Sequence, residues 1–359
     1  MNIIFRVDSS IQIGSGHVMR CLTLAQELRK KANVQFICRK RKGSLIKKIK
    51  SKGFAVFELD GVVARENVDE PLIVDWLGTT QGQDARDCAP ILEKIKPDWL
   101  IVDHYGIDKY WQNKLKKYYK KLLVIDDLAN REHNCDLLLD QNFYKDANAR
   151  YKKLIFSKCK MLLGPGYALL RKEFLTTTSN LIDESLDKIL VYFGGSDIKN
   201  NTLKVLQAIQ SCKQANISVD VVIGPDSPYR KDILNFSSKM ANVTCFDFVE
   251  NIAEMMSNSD LYLGSAGTTT WERCCMGLPS IVIGIAENQI KPMEEMELAG
   301  MTFFLGSEKN VDSSDILRLL DNIVDSPSVL VEMSMKNLAL VDGYGASRCA
   351  SEMLINRGV

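Results

Sequence analysis

Reactive residue types cluster at the start of the chain, in Phe5-Arg6-Val7-Asp8-Ser9-Ser10-Ile11-Gln12-Ile13-Gly14-Ser15-Gly16-His17-Val18-Met19-Arg20. The run reads as an apolar strand, a loop carrying Gly14 and Gly16, and a helix that begins near His17. Open α/β sheets bind ligands beyond the carboxyl ends of their strands. Free N–H groups at the start of a helix attract anionic or polar groups there. Met19 occupies the third position of a dinucleotide fingerprint, and no Gly-Lys-Ser/Thr follows, so both familiar phosphate loops are disfavoured. His17 stands where they would lead. The positive end of a helix disfavours imidazolium and keeps a neutral ring able to accept a proton near pH 7. Arg20 lies one turn on, on the same face, where it could meet a phosphate or a carboxylate. The plainer alternative is a helix-capping histidine beside a solvated arginine. The chain has only three histidines, and one of them at a glycine-bounded sheet edge favours a chemical role.

Three further segments carry similar signals. Asp103-His104-Tyr105-Gly106 follows an apolar strand; Asp103 either lines the same edge or caps the next helix. His104, Asp126, Asp127 and His133 could suggest a metal, but no pair has helical or hairpin ligand spacing, and no metal site is expected. Phe193-Gly194-Gly195-Ser196-Asp197 would let backbone approach a ligand, with Ser196 or Asp197 capping the helix that follows. In Gly264-Ser265-Ala266-Gly267-Thr268-Thr269-Thr270-Trp271-Glu272, a strand meets small residues, an expected Thr cap and a carboxylate. Hydroxyls and N–H groups suit diphosphate oxygens, and a carboxylate suits a vicinal diol such as a ribose. Two such loops in one half of the chain point to a nucleotide. No Asp-x-Asp occurs to hold a divalent metal for a diphosphate leaving group. Helix ends, backbone amides and an arginine such as Arg171 would have to stabilise it.

These residues need a scaffold of alternating strands and helices. Strands are expected at 3–7, 34–38, 99–103, 122–126 and 137–140, then at 189–193, 218–223, 243–246, 261–264, 280–283 and 302–305. Helical periodicity fills 17–31, 84–94, 201–212, 268–276, 293–299 and 314–324. Such alternation specifies an α/β fold with largely parallel sheets. The break between halves falls near Leu163-Gly164-Pro165-Gly166, where chain-turning residues cluster, with the polar stretch 176–180 close behind. The lysine-rich stretches 47–52 and 114–121 read as solvated faces, with Trp111, Leu115 and Tyr118 forming the buried stripe of one helix.

Composition limits the possibilities further. The chain has 359 residues, 46% hydrophobic and 25% charged, which suits two domains with separate cores. Lys+Arg 46 against Asp+Glu 45 leaves a formal charge of +1, so no bulk field recruits nucleic acid or an anionic membrane. Ten cysteines form no C-x-x-C pair and read as reduced thiols of a cytoplasmic protein. No signal peptide and no apolar run long enough for membrane insertion is evident.

Together these motifs resemble the PseG family of UDP-sugar hydrolases, which shares its GT-B architecture with MurG-type glycosyltransferases. The resemblance runs through 5–20, Asp75-Trp76-Leu77-Gly78, 103–106, 167–174, 194–197, 265–272, Asn288-Gln289 and 342–348. It implies two Rossmann-like parallel-sheet domains facing a cleft: 1–163 with the catalytic histidine, 164–343 binding UDP, and a C-terminal helix in 344–359 packing back on the first. The implied reaction is inverting hydrolysis of UDP-2,4-diacetamido-2,4,6-trideoxy-β-L-altropyranose in pseudaminic acid biosynthesis, without a cofactor or metal. His17 is then the general base. Gly14, Gly16 and Arg20 bind the substrate, and Asp103 and Tyr105 lie by the sugar or water. Arg171, Gly195, Ser196, Ser265, Ala266, Gly267, Thr268, Glu272, Asn288 and Gln289 bind the rest of the substrate, with Glu272 on the ribose. Alternatives are a MurG-like transferase with a UDP-sugar donor, a hydrolase of a stereoisomeric UDP-diamino sugar, or a non-catalytic nucleotide-sugar binder. The expected partner is the UDP-sugar alone, and the protein could be monomeric.

Overall fold

The computed structural model describes residues 1–61, 74–179, 184–224, 227–247, 249 and 251–355. The chain divides into two compact units: Met1–Asn142 with Asp146–Leu169 and Tyr344–Val359, and Phe143–Lys145 with Leu170–Gly343. Asn180 of the polar stretch, the side chain of Asp75 and residues 356–359 lie outside the described residues.

The first unit holds seven strands: β1 (Asn2–Val7), β2 (Asn33–Arg39), β3 (Ala55–Leu59), β4 (Trp99–Asp103), β5 (Lys121–Ile125), β6 (Leu137–Asp140) and β7 (Lys160–Leu163). All neighbours pair in parallel, in the order β3-β2-β1-β4-β5-β6-β7. The second unit holds β8 (Lys188–Tyr192), β9 (Ser218–Val222), β10 (Val243–Phe246), β11 (Leu261–Ser265), β12 (Ser280–Gly284) and β13 (Phe303–Ser307). These too are parallel, in the order β10-β9-β8-β11-β12-β13. Chain order reverses between β1 and β4 in one sheet and between β8 and β11 in the other. Such a switch point is where the connections leave a sheet on opposite faces and a ligand can sit beyond the strand ends.

The two-residue period of a strand decides which face each side chain joins. In β1, Ile3, Phe5 and Val7 enter one core with Val18, Leu22 and Ala25 of the helix Gly16–Leu28. Ile4 enters the opposite core with Cys88 and Leu92 of the helix Gln81–Ile95. Arg6 shares the face of Ile4 and Asp103 that of Trp99 and Ile101, so each polar side chain at a sheet end is aimed at a different helix. The C-terminal helix Gly345–Ile355 belongs to the first unit. It buries Ala346, Cys349, Ala350 and Met353 in the core that holds Phe5, and the Trp99 indole donates to the Met353 carbonyl at 3.2 Å.

Some local structure departs from the periodicity. Strands β3 and β7 and the helix Ser328–Leu340 carry no strong period of their own. The lysine-rich segment 114–121 is not one helix: the helix Lys109–Leu115 gives way to a single 3-10 turn, Lys116–Tyr118, and Lys121 opens β5. Trp111 and Leu115 are buried as expected; the chain must then turn to enter the sheet. No helix among the described residues is long and apolar enough to cross a membrane.

Candidate active site

The loop between β1 and the first helix is shaped by two glycines. Gly14 adopts a φ of +78°, the left-handed region that favours glycine, and its N–H closes the turn on Ser10 O at 2.8 Å. Gly43 of the neighbouring loop also has a positive φ, and a Cβ there would lie 2.8 Å from the Ile11 side chain. The turn delivers Gly16 as the first residue of the helix and His17 as the second.

His17 and Arg20 both reach Asp103, which the β1–β4 register places beside Val7. His17 Nδ1 lies 2.6 Å from Asp103 Oδ1. Arg20 grips the same carboxylate as a fork, Nε to Oδ2 at 2.6 Å and Nη2 to Oδ1 at 2.7 Å. A carboxylate only accepts, so Nδ1 carries the ring hydrogen and Nε2 keeps its lone pair. Among the described residues Nε2 has no hydrogen-bond partner. Burial pushes the Asp103 carboxyl up, but Arg20 and His17 hold it far below the usual carboxylate range. The Cys21 thiol, 3.5 Å from Asp103, is pushed up by burial and by that carboxylate.

Tyr105 meets His17 edge-on with ring centroids 4.5 Å apart, and Trp76 meets Tyr105 at 4.9 Å. Burial, with the charge of Asp127 behind it, keeps the Tyr105 hydroxyl protonated well above the usual range. Asp103 does not cap the following helix. Asp108 does, accepting from Tyr110 N at 2.7 Å, which frees Asp103 for His17 and Arg20.

His104 serves a different network. Its Nδ1 accepts from Gly106 N at 3.0 Å, so its Nε2 donates to Asp8 at 3.2 Å. Asp8 also binds Arg6 at 2.6 Å and accepts from Arg39 N at 2.7 Å. Asp84 accepts from Arg6, Arg39 and the Trp111 indole at 2.6, 2.8 and 3.0 Å. Arg6, Asp84 and Arg39 are fully buried, and periodicity gave no sign of them. A third cluster joins Asp126 to Arg131 at 2.9 Å, and Tyr151 Oη to Asp126 and Asp140 at 3.2 and 2.9 Å. Burial pushes Asp140 up to about 7 against the pull of Arg150. Among the described residues no three His, Cys, Asp or Glu side chains converge to hold a metal.

In the second unit the two switch-point loops are built from close backbone approaches. Gly194 has a φ of +84°, and a Cβ on Gly224 would lie 2.2 Å from Gly195 O. Asp197, rather than Ser196, secures the helix Asn201–Ser211 by accepting from Asn201 N and Thr202 N, each at 2.9 Å. Ser196 is half-buried and Gly195 exposed. In the other loop, Ser265 closes β11 and Ala266 is buried. Thr268 stands at the N-cap of the helix Thr269–Cys275 without a side-chain cap bond. Its backbone is helical, φ −58° and ψ −24°, rather than extended as capping residues are, so the expected Thr cap is not formed. Gln289 approaches Gly267, with Nε2 3.9 Å from where a Cβ would stand, while its Oε1 accepts from Ile285 N at 2.9 Å. Asn288 is exposed in the first turn of the helix Glu287–Leu298. Arg171 donates to Glu272 Oε1 from Nη2 at 3.0 Å and Nε at 3.3 Å, leaving Oε2 as an acceptor. Burial raises the Glu272 carboxyl, and Arg171 opposes it.

Residues 189–344 match the glycosyltransferase family 28 C-terminal domain. The chain is 29% identical over 290 residues to the UDP-2,4-diacetamido-2,4,6-trideoxy-β-L-altropyranose hydrolase of Campylobacter jejuni, covering 80% of this chain and 93% of that one. This match supports the resemblance to the PseG family. An uncharacterized protein of Methanocaldococcus jannaschii is 30% identical over 293 residues, 79% of this chain; the match spans 55% of the archaeal protein's length. The crystal structure of Acinetobacter baumannii MurG superposes with a TM-score of 0.69 over 99% of both chains, at 12% identity, and this shows the GT-B fold for this chain.

Proposed function

We propose that the protein hydrolyses UDP-2,4-diacetamido-2,4,6-trideoxy-β-L-altropyranose to UDP and 2,4-diacetamido-2,4,6-trideoxy-L-altropyranose, by C–O cleavage with inversion. The observation that carries this reading is the His17–Asp103–Arg20 constellation at the switch point of the first sheet. Asp103 holds the tautomer in which Nε2 can take a proton from water. The water oxygen then bonds to the anomeric carbon as the carbon–oxygen bond to UDP breaks, with its electron pair leaving on the diphosphate. The name of the Campylobacter relative supports the substrate. Glycine-lined loops at the second switch point supply N–H groups for the diphosphate, and Glu272 Oε2 accepts from the ribose. Ten cysteines, all free, fit a cytoplasmic site of action.

Incubating the protein with the UDP-sugar alone in 18O-water tests this. UDP release, with 18O in the sugar and an inverted anomer at first appearance by NMR, supports hydrolysis. The likeness to MurG favours one second reading, a transferase using the UDP-sugar as donor; release that requires an added acceptor sinks the hydrolase. Glu272→Gln is expected to raise KM for the UDP-sugar by about tenfold or more, with kcat changed less. A carboxylate–hydroxyl bond contributes about 1.5–3 kcal/mol. Steady-state kinetics and calorimetric titration with UDP check it.

A further inference from the structure

Asp127 lies two residues beyond β5 and contacts the candidate site through Arg20 and the Tyr105 hydroxyl. Its Oδ2 accepts from Arg20 Nη1 at 2.9 Å, while Arg20 Nε and Nη2 hold Asp103. Its main-chain oxygen accepts from Arg150 Nη2 at 3.0 Å, so the backbone that carries it is itself fixed. The charges around His17 can be counted. Asp103 and Asp127 are anions and Arg20 is a cation, so with a neutral imidazole the quartet carries one net negative charge. Two further cations lie close: Arg131 pairs with Asp126 at 2.9 Å and lies 5.9 Å above the Tyr105 ring, and Arg150 pairs with Asp140, whose carboxyl burial pushes up to about 7. Tyr105 and Cys21 are both held in their neutral forms.

We propose that Asp127 is a positioning residue that locks the Arg20 fork onto Asp103 and adds a negative charge beside His17 that makes it a stronger base. Without Asp127, Arg20 cancels Asp103, and protonating His17 creates a net positive charge in a buried pocket. With Asp127, protonation brings the quartet to zero. A nearby opposite charge favours the charged form of an imidazole, so Asp127 strengthens the base without touching water or substrate. The proposal rests on the reading that His17 takes the proton of the attacking water.

The test follows the His17 ring through a pH titration by NMR in wild type, Asp127→Asn, Asp127→Ser and Asp127→Glu, with His17→Asn identifying the signal. Loss of the charge in the Asn and Ser variants is expected to lower the His17 midpoint by about one pH unit, from the Coulomb interaction at a partly screened distance. The acid limb of kcat/KM then moves to lower pH by the same amount, and plateau kcat falls about threefold as the base weakens. Asp127→Glu restores the midpoint. An unchanged or raised midpoint, a rate loss without a shift, or loss of fold in both charge-removing variants overturns the proposal. Failure of the hydrolase reading shows differently: a wild type that titrates with Asp127-dependent shifts yet releases no UDP.

Discussion

His17→Asn is expected to lower kcat for UDP release by about three orders of magnitude while leaving UDP affinity unchanged. Asparagine can keep a donor near the position of Nδ1, so the 2.6 Å contact to Asp103 has a replacement and the Arg20 fork stays seated. What disappears is Nε2, the one ring atom with a free lone pair. General-base catalysis by a placed side chain contributes about 10²–10⁴-fold. The residues proposed to hold UDP all belong to the other compact unit, so affinity measured by calorimetric titration with UDP separates chemistry from binding. Turnover close to wild type in this variant would show that His17 is not the base. Equal loss of turnover and of UDP affinity would point to a folding defect instead.

The legible part of this site is what local period and position determine. His17 and Arg20 share a helix face because they are three residues apart, and both turn out to hold Asp103. Asp103 itself was ambiguous between a site residue and a cap. Only the structure decides it, because Asp108 takes the capping role. Glycine positions were legible for the same local reason: Gly14 and Gly194 adopt backbone angles that few other residues tolerate. Long-range polar pairing was not legible. Arg6 and Asp84 are 78 residues apart, and no spacing rule connects a strand residue to the first turn of a distant helix. Asp127 escaped for a related reason. Beside Asp126 it could be weighed only as a metal ligand, whereas its partner is an arginine in a helix far earlier in the chain. The boundary between halves is likewise a matter of contacts: the first unit continues past Gly164 to Leu169 and regains the chain at Tyr344.

Asp84→Ala is expected to be the most damaging single change to the stability of the first unit, with the candidate base untouched. The substitution removes the acceptor for Arg6 Nη2 at 2.6 Å, Arg39 Nη2 at 2.8 Å and Trp111 Nε1 at 3.0 Å. All of these groups are buried, and water cannot replace the lost carboxylate without opening the sheet end. Breaking a buried pair by removing one partner costs about 3–5 kcal/mol. At about 2–4 °C per kcal/mol for a unit of this size, the thermal midpoint of the first unit falls by about 6–20 °C. The sign of the pH dependence follows from the folded state. Burial raises Asp84, but Arg6 and Arg39 outweigh it and hold the carboxyl below its ordinary value. Its contribution is therefore fully present above the unfolded carboxylate range and is lost as pH falls through and below about 4. Wild type and variant should differ most near pH 7 and converge in acid, measured by urea unfolding followed through tryptophan fluorescence. A variant with an unshifted midpoint at neutral pH would mean that Asp8 alone can neutralise Arg6. Setting this variant beside His17→Asn then separates two networks that meet at consecutive residues: Asp103 serves the candidate base, and His104 serves the Asp8 cluster that holds the sheet end in place.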